Sequence, residues 1–397
     1  MTAVLIITIL LFLCYSALII YYRLGWLAVP NFQPSTINIQ HSTRLSVIIP
    51  ARNEEQNIKA CLDSICNQSY PKEHFEVIVV DDHSTDSTAD LVDGYAAQNI
   101  KRIALKDHVD TPLNSYKKKA IEVAIQHSSG DLIITTDADC ILPENWLQTI
   151  ASFYEMDRPA FIAAPVSISP APGREASGVR WFIEIFQSLD FMVLQGITGA
   201  SVYKKIHSMC NGANLAYEKK AFEEVGGFND IDNIASGDDM LLMHKIATRY
   251  PDKVLFLKSK EAIVQTKPVK SIGEFFNQRI RWASKADKYN DKRIFFVLML
   301  VYFFNLSLLV LPFMVLFQNI QYSIFNIQCT MMELWVVMLL LKISIELRFL
   351  YPVAKFFGRQ KLLWWFPLMQ PFHIIYTVLA GFLGKFGTYQ WKGRKVK

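Results

Sequence analysis

Three hydropathy regimes follow one another along the chain. Residues 3–22, AVLIITILLFLCYSALIIYY, carry no charge and are long enough to cross a bilayer. No Lys or Arg precedes this run and Arg23 follows it, the order of an uncleaved anchor with Arg23 on the cytoplasmic side rather than of a cleaved signal peptide. A transmembrane helix is therefore expected over residues 1–23.

From 41 to 290 short β-rich runs alternate with helical periodicity. LSVIIPA (45–51), FEVIVVDD (75–82) and DLIITTDAD (131–139) are near-continuously apolar, as strands buried on both faces are. Between them, EEQNIKACLDSICNQ sets Ile58, Leu62 and Ile65 at helical spacing. STADLVDGYAAQ and KKKAIEVAIQHSSG also read as helices, the latter ending at Gly130. This βαβαβ order predicts an α/β fold with a doubly wound sheet and right-handed crossovers. Such sheets bind ligands at the carboxyl ends of their strands.

Beyond 294 the chain is apolar again. Residues 294–317 can span a membrane. Residues 334–351 carry Lys342, Glu346 and Arg348 and are a weaker candidate, and 362–386 are broken by Pro367 and Pro371. KFFGRQK (355–361) and the tail WKGRKVK (391–397) are both basic, so both belong on the cytoplasmic side. Either 362–386 is an interfacial or re-entrant element, or the charge rule is broken here. The expected organisation is an α/β domain over 41–290, transmembrane helices over 294–390 and a basic tail over 391–397.

Composition agrees. Hydrophobic residues make up 51% of the chain and charged residues only 19%, below the ~25% of soluble domains. A net charge of +5 suits an anionic leaflet better than nucleic acid, so membrane lipids are expected partners and nucleic acid is not. The six cysteines form no CxxC pair and no zinc-like spacing, and read as free thiols in a reducing compartment. The expected location is the cell membrane, with several spans and a cytoplasmic α/β domain.

Three acidic sites stand where strands of such a sheet should end: Asp81 and Asp82 in VVDDHSTDST, Asp137 and Asp139 in TTDADC, and Asp238 and Asp239 in ASGDDMLL. Any one pair is explained as a turn or helix cap. All three, two of them closing apolar strands in order, point to a site. Asp-x-Asp at a strand end lets two carboxylates converge on a hard cation, Mg²⁺ or Mn²⁺, that diphosphate oxygens would also hold. The ion would assist a leaving group rather than activate water.

With these motifs in view, the chain resembles the membrane-embedded family 2 glycosyltransferases of GT-A fold, the group that includes cellulose, chitin and hyaluronan synthases. The resemblance spans roughly 43–285 and rests on VIIPARNEE, VIVVDDHSTDST, YKKKAIEVAI, TTDADC, CNGANLAYEKKAFEEVGGF, SGDDMLL and QRIRW in order. It implies an inverting transfer from a nucleotide-sugar, with UDP the usual nucleotide, to a lipid-linked or saccharide acceptor. By the same resemblance Asp82, with Asp81 beside it, contacts the nucleobase, and Pro50, Arg52 and Glu54 line the nucleotide pocket. Lys117 stands at the family's Gly-Lys position, with a Tyr in place of the Gly, so Lys118 is a possible substitute. Asp137 faces ribose and diphosphate and shares the metal with Asp139. Asp239 maps to the general base. Asp238 replaces the family's Glu and is one methylene shorter. Gly212 and Asn214, in NGANLAY, belong to the acceptor loop.

Gln278, Arg281 and Trp282 fall at i, i+3 and i+4 and share a helical face. The resemblance places them at the membrane interface, Arg281 on the diphosphate and Gln278 and Trp282 on the acceptor. The plain alternative is an interfacial anchor. Trp181, Phe182, Ile185 and Phe186 form another apolar helical face, interfacial or core. His83 and His207 are left outside the site. The resemblance implies that Gln-x-x-Arg-Trp is commonest in processive synthases and also occurs in enzymes that add one sugar to a lipid, and the small helical bundle fits a single transfer to a lipid-tethered acceptor better. A non-catalytic scaffold of the same fold would have lost the carboxylates.

Overall fold

Each buried apolar run becomes a strand, and the amphipathic segments between them become the helices that cover the sheet. The computed structural model describes residues 2–34, 43–109, 113–169, 178–285, 291–317, 321–324, 327–387, 389–391 and 394–396. Helix α1 (Thr2–Ala28) precedes β1 (Leu45–Ala51), α2 (Ile58–Cys66), β2 (Phe75–Asp81), α3 (Thr88–Asp93), β3 (Ile100–Ala104), α4 (Tyr116–Gln126), β4 (Leu132–Thr135) and α5 (Trp146–Asp157). In α2 the expected face is the buried one, with Ile58, Leu62 and Ile65 inaccessible.

The next elements complete the sheet: β5 (Phe161–Ala163), β6 (Val166–Ile168), α6 (Val179–Lys204), β7 (Leu215–Glu218), α7 (Lys219–Glu224), α8 (Asp238–Arg249), β8 (Val254–Phe256), β9 (Val264–Thr266) and α9 (Ile272–Ala283). The strand order is β3-β2-β1-β4-β7-β5-β8, with β6 and β9 paired separately. The doubly wound expectation needs one correction. β7 runs antiparallel to both β4 and β5. Helix α6 carries the chain out past the carboxyl ends of the strands, and the chain re-enters the sheet from that side. Leu215 therefore pairs with Thr135, the last residue of β4. The loop before β7 is thereby set beside the strand ends that carry Asp81 and Asp137.

The C-terminal part comprises α10 (Lys292–Phe317), a hairpin of β10 (Gln321–Ile324) and β11 (Ile327–Thr330), α11 (Met331–Phe356), α12 (Phe366–Phe386) and a second hairpin of β12 (Tyr389–Trp391) and β13 (Arg394–Val396). Among the described residues, three segments are long and apolar enough to cross a membrane: Val4–Ala28, Lys292–Met314 and Gln360–Phe386. Helix α11 is about as long as a membrane is thick, at ~1.5 Å per residue, but carries charge. Two of its charges, Lys342 and Glu346, face the bundle, whereas Glu333, Arg348 and Lys355 are exposed. Lys342 is fully buried and pairs with Glu346 at 2.8 Å; Glu346 also accepts from Tyr15 of α1 and from Gln370 Nε2 of α12.

Small residues let these helices approach the α/β domain closely. A Cβ on Gly199 of α6 would lie 2.8 Å from the Trp26 ring, and one on Gly196 would lie 2.6 Å from Val353 of α11. Trp26 also packs against Phe256 of β8 and Phe356 of α11, so α1 and α11 end together at the α/β domain. Helix α12 lies along α9. Phe275 meets Phe372 and Tyr376, and a Cβ on Gly384 would sit 2.7 Å from Ala283 Cβ. The apolar face of α6 is core rather than a free surface: Phe186 is buried, Phe182 packs on Phe372 and Trp181 on Trp365.

Candidate active site

The loops after β1 and β2 are zipped together. Asn53 N–H donates to Ser84 Oγ at 3.0 Å, Thr85 N–H to Asn53 Oδ1 at 2.8 Å and Glu54 N–H to Thr88 Oγ1 at 2.8 Å. Asn53 and His83 both adopt positive φ, 53° and 55°, so each loop turns sharply at its strand end. Asp81 accepts from Ser84 N–H at 3.2 Å and holds this turn; its carboxylate does not line the cavity. Asp82 does line it. Arg52 donates to the Asp82 carbonyl at 2.8 Å, and His83 Nδ1 lies 2.9 Å from Asp82 Oδ1. Pro50, Arg52 and Glu54 border the same space.

Strand β4 delivers Asp137 and Asp139. Lys117, in the first turn of α4, reaches Asp137 Oδ1 at 2.7 Å and Asp238 Oδ2 at 3.3 Å. It ties the strand-end carboxylates to those of α8. Burial opposes its charge, but Asp137, Asp238 and Asp239 together raise its pKa. Lys118 points the other way. Its ammonium donates to the carbonyls of Ile231 and Ile234, both at 2.6 Å, and of Ser236 at 3.2 Å. Lys118 therefore cannot replace Lys117 at a nucleotide; it staples the loop that leads into α8.

Gly237 sits at φ +83°, a conformation favouring glycine, and starts α8 so that Asp238 and Asp239 occupy its first turn. Asp239 accepts from Gly212 N–H at 3.1 Å and from Met240 N–H at 2.7 Å. Burial would raise the Asp238 carboxyl, but Lys117, Lys285 and Lys118 hold it below the usual carboxylate range.

The acceptor assignments need correction at Asn214. It is fully buried, receives Trp146 Nε1 at 2.9 Å, and donates to the carbonyls of Pro165 and Ala262, both at 2.8 Å. These bonds occupy its amide, which braces the loop; Asn211 and Gly212 line the cavity instead. Gly212 acts through its backbone, holding Asp239.

Gln278, Arg281 and Trp282 of α9 all border the cavity. The residue between them, Arg279, was not anticipated. Its Nη2 contacts Asp190 of α6 at 2.5 Å, Tyr376 of α12 donates to the same carboxylate at 2.5 Å, and its guanidinium lies 4.2 Å from the Trp282 ring centre. One sequence signal was available: of the two carboxylates among the buried residues of α6, Glu184 has Arg180 four residues before it, whereas Asp190 has no basic residue within a turn on its own helix.

Among the described residues no three His, Cys, Asp or Glu side chains are grouped to bind a metal. Asp137 and Asp139 supply two hard oxygen donors one residue apart, and both line the cavity. That donor set fits Mg²⁺ or Mn²⁺ completed by substrate oxygens and water.

Residues 46–226 match the model of Glycosyl transferase family 2. The chain carries a family 2 glycosyltransferase domain. Glycosyltransferase AglE of Haloferax volcanii is 26% identical over 239 residues, 60% of this chain and 71% of its own length. The poly(ribitol-phosphate) beta-N-acetylglucosaminyltransferase TarS of Staphylococcus aureus is 34% identical over 113 residues, 28% of this chain and 19% of its own. The probable glycosyltransferase YdaM of Bacillus subtilis is 28% identical over 202 residues, 49% of this chain and 44% of its own length, so this chain spans less than half of YdaM and TarS. In structure, the mannosyltransferase PcManGT from Pyrobaculum calidifontis, solved with GDP-Man and Mn2+, covers 96% of this glycosyltransferase and 97% of its own chain. The TM-score is 0.56 at 18% identity, a likeness of fold.

Proposed function

We propose that this glycosyltransferase moves one sugar, with inversion, from a nucleoside-diphosphate sugar to a lipid-borne acceptor at the cytoplasmic membrane face. The observation that carries the reading is a single cavity of about 1080 Å³. Asp82, Asp137, Asp139 and Asp239 line one part of it. Leu18 of α1, Ile197 of α6, and Leu298 and Phe303 of α10 line another. A carboxylate-lined donor pocket continuous with an apolar cleft among membrane helices fits an acceptor with a sugar at one end and a hydrocarbon at the other.

In this mechanism Asp82 and Arg52 border the nucleoside, and Lys117 positions Asp137 against the ribose and diphosphate. Asp239, fixed by two backbone N–H groups, takes the proton from an acceptor hydroxyl as that oxygen attacks the anomeric carbon. The C–O bond to the diphosphate breaks on the opposite face. Arg281 meets the charge that develops on the leaving group. Asp137 and Asp139 would hold Mg²⁺ or Mn²⁺, which when bound neutralises the diphosphate.

We also infer that α1, α10 and α11 cross the membrane and that α12 does not. Arg359, just before α12, donates to the Ile168 carbonyl of β6 at 3.4 Å, and β12, just after it, contacts α9. Both ends of α12 thus meet the catalytic domain. Lys342 and Glu346 of α11 are paired inside the bundle, where a spanning helix tolerates them, while its Glu333, Arg348 and Lys355 are exposed.

The test is a panel of UDP- and GDP-sugars with the detergent-solubilised protein and total membrane lipid, products sized by mass spectrometry. One donor should add a single sugar to a lipid. A ladder of polymer would overturn the single-transfer reading, and no turnover of any donor would overturn the reading altogether.

A further inference from the structure

Lys285 stands apart from the other cavity-lining lysines. Only 7% of it is exposed, it lines the cavity, and among the described residues its ammonium makes no hydrogen bond. Lys117 has two carboxylate partners and Lys267 donates to Asn57 Oδ1. A buried cation without such partners carries a large desolvation cost, which an anion entering the cavity would offset.

Its position says which part of the substrate that anion belongs to. Lys117 occupies the flank of Asp238 that faces Asp137. Lys285 occupies the Gly237 flank, its Cδ 3.3 Å from the position of a Cβ on Gly237. Asp239 and Asp238 favour its charge, while Arg281 and Lys117 oppose it. The Cβ position of Gly384 lies 3.0 Å from Ser284 N, so the last turn of α12 adjoins Lys285 and brings Lys385 to the same cavity. The same cavity is also lined by apolar side chains, Phe295 and Leu298 of α10 and Phe386 of α12.

We propose that Lys285, assisted by Lys385, binds a phosphate that joins the acceptor's sugar to its lipid tail. The sugar hydroxyl then lies at Asp239, the phosphate at the two lysines and the tail in the groove between α10 and α12. This assignment rests on the reading of a lipid-borne acceptor and gives it a chemical class, a glycosyl phospholipid. Lys285 is a binding and positioning residue; no covalent step passes through it.

The experiment measures equilibrium binding of dodecyl phosphate to the full chain in neutral-lipid nanodiscs and needs no turnover. A failure to transfer sugar would therefore count against the proposed function and leave this measurement standing. Wild type should bind the probe, and Lys285→Met should weaken binding about tenfold or more, the size of a lost charge-assisted hydrogen bond. Lys285→Arg should retain it, and saturating UDP or GDP should not displace it. Lys385→Gln, at an exposed position, should give a smaller loss of the same sign and serves where Lys285→Met does not fold. Equal binding by wild type and both neutral variants would overturn the proposal. Displacement by UDP or GDP would also overturn it, by assigning Lys285 to the donor diphosphate. Inorganic phosphate competing as well as dodecyl phosphate does would overturn the lipid assignment, showing a site for free phosphate.

Discussion

Lys117 and Lys118 are neighbours in sequence with separate tasks, and the second yields a prediction with a sign. Burial lowers the Lys118 ammonium to about 8, against Asp238 and Asp239, which raise it. Its unfolded value is near ~10.4, so between about pH 8 and 10.4 the unfolded chain binds more protons and this group's contribution to stability rises with pH. Over the same range the ammonium loses one of its three donors to the loop before Asp238. Turnover should therefore fall as pH rises through about 8 without a matching fall in melting temperature. Lys118→Met should lower kcat about tenfold through misplacement of the base and abolish that alkaline limb. If the limb persists in the variant, another group owns it. Asp239→Asn should leave UDP or GDP affinity near normal while turnover drops by about 10²–10⁴, the range for a lost general base. Loss of nucleotide binding in the same variant would place Asp239 in the donor pocket. Asp139→Asn and treatment with EDTA should each abolish transfer, and full activity in EDTA would remove the metal from the mechanism.

The elements are tied by Asp190, which joins α6 to α9 through Arg279 and to α12 through Tyr376. Removing one partner of a buried pair leaves the other charge unpaired, at a cost of about 3–5 kcal/mol. Asp190→Leu and Arg279→Met should each lower the melting temperature in detergent, and the double variant should recover much of the loss. Additive losses would show that the two groups are not coupled. Arg279 also fixes one face of Trp282, which makes that indole a preset platform. Trp282→Ala should therefore reduce transfer to the acceptor more than hydrolysis of the donor. An unchanged ratio per inserted molecule would leave Trp282 only an anchoring role.

Across the whole molecule, α12 decides the topology. If it crossed the membrane, the tail would lie opposite the catalytic domain; the contact of β12 with α9 requires the same side. In an otherwise cysteine-free chain, Gln390→Cys should react with a membrane-impermeant maleimide in inverted vesicles and not in intact spheroplasts. Labelling of intact spheroplasts would make α12 a span.

The sequence by itself determined the parts governed by local pattern. The buried strands, the α2 face, the strand-end carboxylates and the apolar N-terminal helix were legible because periodicity and strand ends are properties of neighbouring residues. The ordered motifs point to Asp82, Asp137, Asp139 and Asp239, which line one cavity. Tertiary structure decided what depends on partners distant in the chain. Asn214 looked like an acceptor contact until the carbonyls of Pro165 and Ala262 were seen to occupy its amide. Lys118 looked like an understudy to Lys117 until the loop carbonyls were seen to hold it. The antiparallel turn of β7 depended on where α6 returns the chain to the sheet. The same holds for α12: apolar length licensed a crossing, and only its packing along α9 argues for a return, since hydropathy fixes burial in lipid and neighbouring helices fix direction.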